Sequence, residues 1–388
     1  MASPTSSFDL DLEKVYLDID PAVGDRAWQR SQRLSNAASR WRAYINELAM
    51  RSLISWLQSS EDTGAVRPTM RDALWPTVWE WVTGSVLNVD GLRWVVIPTE
   101  AIDDDELRVP QEWVDIPNWA GDYYVLAQVN ADDGWVKIAG LATHAMVKGQ
   151  GEYGRDRTYS LSSDDLLTDI NVVEIAEAMA PEVDRRVAIA PVPELPLAQA
   201  NQLMQRLSDS GQLNPRLAVG FGPWSALLAH GGWRTEMTHQ RQGNPPSFSV
   251  SQWLQEGLSD LVQQLGWQTV SLQLATAGAR GDEDETPQTA FSKALTINSE
   301  AYSLQISEIV DQALNAWRFE LRKVNGVVPE GVTLRLLTED LQSFANNEVT
   351  AAEPVESLYV DVALSPGEGI VWATEPEADA YESEILRF

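Results

Sequence analysis

Cysteine is absent from this chain of 388 residues, and histidine occurs only three times. The lack of cysteine excludes disulfides, thiolate metal sites and cysteine nucleophiles together. No apolar run approaches the roughly 20 residues that a membrane-spanning helix requires. Asp9, Asp11 and Glu13 lie where a signal peptide carries positive charge followed by an apolar core. We therefore expect a soluble, cytoplasmic protein.

Positive charge is scarce, because 28 Lys and Arg residues stand against 57 Asp and Glu residues and the net charge is −29. A field of this sign repels nucleic-acid phosphates and anionic membrane surfaces. We therefore expect neither nucleic acid nor a membrane as a direct partner. The same field is favourable toward a protein partner with a basic surface.

Tryptophan is abundant, with 16 residues spread along the chain. Large buried aromatic side chains usually serve packing, so most of these residues are expected to anchor cores and sheet edges. A ligand platform built from several of them is the alternative.

The first extended periodic pattern predicts a helix over residues 21–58 that is broken at most once. Its apolar residues recur at intervals of four and three, which predicts a single buried stripe. That stripe consists of Leu34, Ala38, Trp41, Ile45 and Leu48. Arginines accompany the stripe at Arg26, Arg30, Arg33 and Arg40. A solvated face is the simpler interpretation of these arginines, and contact with an acidic segment or a partner is the other.

Strands are predicted in both halves of the chain from alternating apolar and polar residues. The segments 123–129 and 135–142 flank a turn at 130–134 and predict a hairpin. Residues 317–321 and 332–336 predict a second hairpin with a longer loop.

Prolines at positions 191, 193 and 196 predict an extended linker and mark a domain boundary. The resulting fold class is α+β. We predict an N-terminal domain over 1–189 with a long helix and a small curled antiparallel sheet. A helical connecting section follows over 190–266, and a C-terminal antiparallel β-sandwich occupies 267–388.

No arrangement of residues in the sequence identifies a reaction, so no catalytic residue and no cofactor are predicted. His230, Gly231 and Gly232 resemble the oxyanion loop of esterases, but the chain lacks the Gly-x-Ser-x-Gly turn that such enzymes require. The residues 229–232 are more simply the end of a helix, with a glycine in the left-handed conformation. His230, Glu236 and His239 are weak metal-ligand candidates, because their spacing matches no helix-borne pair of histidines.

Several stretches resemble a cyanobacterial family of unknown function, domain of unknown function 1822. These stretches are 109–117, 157–161, 334–342, 367–372 and 384–388, together with Trp119, Tyr123 and Tyr124. The resemblance covers nearly the whole chain but carries no reaction, substrate or functional residue. It implies a cyanobacterial cytoplasm and genes that often lie beside those of sigma factors or signalling proteins.

Two functions of different classes follow from these observations. The first is a non-catalytic interaction or regulatory protein whose acidic surface binds a protein partner, such as a sigma factor or a signalling component. The second is a cryptic enzyme, or a protein that binds a small ligand or a metal in a pocket between domains. The sequence leaves the oligomeric state open.

Overall fold

The computed structural model describes residues 15–59, 65–102, 105–168, 185–244, 248–272, 288–309 and 315–388. The protein is a mixed α and β protein with several antiparallel sheets. Its contacts divide it into two units. The first unit comprises 1–69, 75–194 and 205–229, and the second comprises 70–74, 195–204 and 230–388. The helical stretch 190–266 is thus divided between the two units. Within the described ranges, no helix is both long enough and apolar enough to cross a lipid bilayer.

The described residues of the first unit form nine strands and several helices. In chain order these are β1 (Tyr16–Asp18), α1 (Pro21–Ser31), α2 (Ala37–Ser59), β2 (Val66–Pro68), α3 (Trp75–Trp79), β3 (Ser85–Val89), β4 (Leu92–Thr99), β5 (Glu106–Pro110), α4 (Glu112–Asp115), β6 (Tyr123–Asn130), β7 (Trp135–Thr143), α5 (His144–Gln150), β8 (Glu152–Tyr153) and β9 (Thr158–Ser162). Helix α6 (Leu197–Leu207) spans the boundary between the units at Met204, and α7 (Phe221–Ala229) ends the first unit.

Helices α1 and α2 confirm the predicted helix with one break. The side chain of Asn36 accepts the backbone N–H of Ser39 at 3.0 Å, so it caps the new helix where the first one has ended. Leu34, Ile45 and Leu48 are buried as the periodicity predicts. Ala38 and Trp41 are exposed, however, so the predicted buried stripe is wrong over the first turns of α2.

Six strands of the first unit form one sheet in the order β1-β7-β6-β4-β3-β2, and β5, β9 and β8 form a second sheet. The predicted hairpin of β6 and β7 is confirmed, with its turn at 130–134. The sheet is not purely antiparallel as predicted, because β4 and β6 pair in parallel from Trp94 and Tyr123 onward. These two strands are separated in sequence by β5 and α4, and such a crossover permits a parallel pair.

Besides part of α6, the described residues of the second unit form three α-helices and nine strands. They are α8 (Gly231–Gln242), α9 (Val250–Glu256), α10 (Asp260–Gln264), β10 (Trp267–Leu272), β11 (Gln288–Ile297), β12 (Glu300–Glu308), β13 (Ala316–Lys323), β14 (Thr333–Thr338), β15 (Glu348–Thr350), β16 (Ser357–Ala363), β17 (Gly369–Glu375) and β18 (Ile385–Arg387). One sheet has the order β10-β11-β12-β13-β16, and the other has the order β15-β14-β17-β18.

The core of the second unit draws side chains from both of its sheets. Leu304 and Phe319 from the five-stranded sheet belong to the same buried cluster as Leu334 and Trp372 from the four-stranded sheet. The predicted hairpin of 317–321 with 332–336 is wrong, because β13 pairs with β12 and β16 while β14 pairs with β15 and β17. Both segments alternate with one buried face, but each lies in a different sheet.

Candidate functional site

Five aromatic side chains lie together at the surface of the first unit, and we call this set the aromatic surface. It consists of Tyr16, Trp28, Trp41, Tyr44 and Trp135. The ring of Tyr44 lies 5.4 Å from that of Trp28 and 5.5 Å from that of Trp41. The rings of Tyr16 and Trp135 are 5.3 Å apart in an edge-to-face arrangement. Since Trp41 and Trp135 line the same groove, the two groups of rings form one surface.

Three rings of the aromatic surface are open to solvent. Tyr16 is 59% exposed, Trp28 is 48% exposed and Trp41 is 41% exposed. Isolated exposed apolar residues are normal, but a contiguous group of them marks a surface that contacts another molecule. This grouping is therefore the strongest functional signal in the first unit.

Four secondary-structure elements display the aromatic surface. Trp28 lies on α1, whereas Trp41 and Tyr44 are three residues apart on α2 and so share one helix face. Tyr16 lies on β1 at the sheet edge, and Trp135 begins the neighbouring strand β7. Because the rings are carried by helices and paired strands, their relative positions are fixed by the fold.

A groove of about 290 Å³ separates Trp41 from Trp135. Its other lining residues are Glu100, Ala101, Ile102, Gln128, Val129, Asn130, Ala131 and Asp132. The side chain of Gln128 donates to the carbonyls of Ala101 and Ile102 at 2.7 and 3.0 Å, which holds that segment at the rim. Ile102 is 99% exposed, so an apolar side chain is in contact with solvent at the edge of the groove.

Negative charge accompanies the rings of the groove. Trp41 Nε1 donates to Glu100 Oε2 at 2.8 Å, and Asp132, in the turn between β6 and β7, also lines the groove. Burial raises the pKa of Tyr44, and the carboxylates of Asp25 and Asp132 raise it further. Among the described residues that line the groove, none is Lys or Arg. The groove therefore combines indole rings with carboxylates.

The four arginines singled out in the sequence differ in their contacts. Arg30 pairs with the buried carboxylate of Glu47, and Arg40 Nε donates to the carbonyl of Leu34 at 2.9 Å. Arg26 and Arg33 are exposed, and neither forms an ion pair with a residue that the structure describes. The set thus divides into two arginines with contacts inside the fold and two that face solvent.

His230 is held by backbone groups at both ring nitrogens. Nδ1 accepts the backbone N–H of Trp233 at 3.2 Å, and Nε2 donates to the carbonyl of Glu339 at 2.9 Å. His230 is therefore the N-cap of α8. The predicted helix end is correct at Ala229, but the left-handed glycine is wrong, since Gly231 and Gly232 begin the next helix.

Glu236, the second metal-ligand candidate, forms an ion pair with Arg387 at 2.6 Å. Arg387 also pairs with Glu339, so its guanidinium joins two carboxylates. His239 is buried and lines a small cavity of about 20 Å³ together with Glu236 and Arg387. Over the residues that the structure describes, no group of three His, Asp or Glu side chains is arranged to hold a metal ion.

Among the described residues, each unit also contains a buried ionic cluster that lies outside the aromatic surface. In the first unit, Glu112 pairs with Arg216 and accepts the indole N–H of Trp224 at 2.7 Å. In the second unit, Lys293 pairs with Glu384 between two indole rings. The charged groups of both clusters are satisfied by each other, which is the arrangement of a structural ion pair.

Comparison with known proteins gives one match. The model of a family described as a protein of unknown function, DUF1822, matches residues 17–387. Neither the curated proteins nor the solved structures contain a match. The matched range includes four members of the aromatic surface, from Trp28 to Trp135, and begins one residue after Tyr16.

Proposed function

The chain belongs to the DUF1822 family of proteins of unknown function, and from this premise we propose that it is a non-catalytic interaction or regulatory protein. The aromatic surface is its binding face. The observation that carries this proposal is the set of five aromatic rings, three of them exposed, that lies at the surface beside a groove and is displayed on rigid elements.

The composition of this face supports a protein as the partner. Tryptophan and tyrosine are enriched at protein interfaces, where they provide large contact areas with few rotatable bonds. They also account for many of the residues that dominate binding energy. Trp28 and Trp41 project from helices, so binding does not require their backbone to be ordered first.

The charge of the chain supports a partner with a basic surface. A net charge of −29 attracts a positively charged protein over a distance and repels nucleic acid. A sigma factor or a signalling component of the cytoplasm is the kind of partner that we propose. We further infer that the two sheets of the second unit form a β-sandwich, which their shared core supports.

Site-specific photocrosslinking in the native cell tests the proposed binding face. A benzophenone amino acid at Trp28 is expected to give a discrete adduct heavier than the 43.0 kDa chain. The same amino acid at Tyr359, an exposed aromatic residue of the second unit, is the matched control and should give none. The adduct should also disappear when Trp41→Ala is added to the crosslinking variant.

Discrete adducts from Tyr359 and none from Trp28 would contradict the proposal, because the partner would then bind a different face. An adduct from Trp28 that survives Trp41→Ala would also count against the aromatic surface as the binding face.

A further inference from the structure

We infer that the groove between Trp41 and Trp135 binds a cationic side chain, with arginine the best fit, from a segment of the protein partner. This inference rests on the proposed function and adds the chemistry of the group that is recognised. The juxtaposition of two indole rings with two carboxylates in one groove is the geometry that carries it.

The rings provide the first part of this recognition. Cations are attracted to the faces of aromatic rings, and tryptophan gives the strongest interaction of this kind. The planar guanidinium of arginine also stacks on such rings and is less strongly hydrated than an ammonium group. Arginine therefore gives up little hydration energy when it stacks on Trp41 or Trp135.

The carboxylates provide the second part. Glu100 is held by the indole N–H of Trp41 at 2.8 Å, and one such contact leaves carboxylate lone pairs that can accept further hydrogen bonds. Asp132 is exposed, and its backbone is fixed by the turn in which Asp133 N donates to Asn130 Oδ1 at 2.9 Å. A guanidinium that enters the groove meets acceptors from both carboxylates.

The shape and polarity of the groove favour a peptide segment over other occupants. The amide of Asn130 and the exposed Ile102 offer polar and apolar contacts to residues that flank the cation. A phosphate-bearing ligand would place negative charge beside Glu100 and Asp132, which is unfavourable. A second copy of this chain would bring another net charge of −29 to the same face.

The decisive probe is N-acetyl-argininamide, compared with its neutral isostere N-acetyl-citrullinamide. The full chain is labelled with 5-fluorotryptophan, and the fluorine signal of Trp41 is assigned with Trp41→Phe. Titration with the arginine derivative should shift this signal and saturate in the millimolar range. The citrulline derivative should bind at least ten-fold more weakly, since it has the same shape without the charge.

The carboxylates are tested by the double variant Glu100→Gln/Asp132→Asn. Glutamine at position 100 keeps an oxygen that accepts from Trp41 Nε1, so the ring should stay in place. The dissociation constant for the arginine derivative should rise at least five-fold in this variant. Glu330→Gln removes an exposed charge in the second unit and should leave the constant unchanged. The remaining fluorine signals report whether each variant is folded.

Equal binding of the arginine and citrulline derivatives, or equal binding by the double variant, would overturn the inference. So would a dimer in sedimentation that Trp41→Ala converts to monomer, because the occupant would then be a second copy. If either of these binding results were equal, a crosslinked adduct from Trp28 would still support the proposed function. Failure of the groove inference can therefore be distinguished from failure of the proposed function.

Discussion

Arg216 holds the carboxylate of Glu112 with two hydrogen bonds, from Nε at 3.0 Å and from Nη2 at 2.6 Å. Glu112 is completely buried, and the residues lie 104 positions apart in the sequence. The guanidinium also donates to the carbonyls of Asp156 and Arg157 at 3.1 and 3.0 Å. This one pair thus joins α4 to a distant segment of the same unit.

Removal of the Glu112 charge is expected to destabilise the protein strongly. In Glu112→Gln the guanidinium of Arg216 remains with no carboxylate, and breaking a buried pair costs about 3 kcal/mol. The free energy of unfolding from a urea titration measures this loss. Glu106→Gln removes one partner of an exposed pair with Arg108 and should cost less than about 1 kcal/mol. Equal effects of the two substitutions would contradict a structural role for Glu112.

The sequence predicts those parts of the fold in which neighbours in sequence are also neighbours in space. The β6–β7 hairpin is an example, because the turn at 130–134 has the residues that such turns require and connects adjacent strands. Strands β13 and β14 show the limit. Their alternation identifies a buried face, but it does not identify the sheet in which each strand pairs.

The aromatic surface could be predicted only in part. The abundance of tryptophan suggests a platform, but the period of α2 assigns Trp41 to the buried stripe. In the fold, the unbroken buried run of α2 begins at Ile45, and Ala38 and Trp41 on the preceding turns stay in solvent. Nothing in the sequence places Trp41 beside Trp135, since the groove between them depends on how α2 packs against the sheet.

The ion pair of Lys293 and Glu384 should show strong energetic coupling. Burial lowers the pKa of Lys293, and Glu384 opposes that effect. Glu384 Oε2 also accepts the indole N–H groups of Trp267 and Trp372 at 3.2 and 3.4 Å. Lys293→Met should therefore cost about 3 kcal/mol, because it leaves a buried carboxylate without its cation.

A double-mutant cycle measures this coupling. Lys293→Met/Glu384→Gln removes both charges and keeps an oxygen for the two indoles. The double variant should be more stable than the sum of the single changes implies, by at least about 1 kcal/mol. Additive losses of unfolding free energy would show that the two charges act independently.

Gly232 is required because of a close approach between α8 and β18. A Cβ on this residue would lie 2.5 Å from Cγ1 of Ile385, which is closer than two carbon atoms can approach. Gly232→Ala should therefore lower the unfolding free energy by about 1–3 kcal/mol, the usual cost of overpacking. Thermal unfolding followed by circular dichroism measures the effect, and Ile385→Val in the same chain should recover part of it.

Gly149 provides the matched control for this substitution. It lies in α5, and a Cβ added to it would meet no neighbouring atom within 4 Å. Gly149→Ala should therefore be neutral or stabilising by about 0.4–1 kcal/mol. A loss of stability at Gly149 equal to that at Gly232 would show that close packing is not the cause.

His230 should make stability fall as the pH is lowered. Burial lowers the pKa of His230 from 6.5 to about 4, because the folded protein holds the ring neutral. Below pH 6.5 the unfolded chain binds a proton that the folded protein rejects, so unfolding becomes easier until the pH reaches about 4. The loss over this range should reach at most about 3 kcal/mol.

His230→Asn isolates this contribution, because asparagine retains an N-cap oxygen for α8 and removes the titrating ring. The unfolding free energy of both proteins is measured from pH 7.5 to 4, and the difference between them is the informative quantity, since carboxylates titrate in both. The original protein should lose stability more steeply between pH 6.5 and 4. Parallel curves would mean that His230 accepts a proton as readily in the folded protein as in the unfolded chain. Burial of its ring would then not hold it neutral.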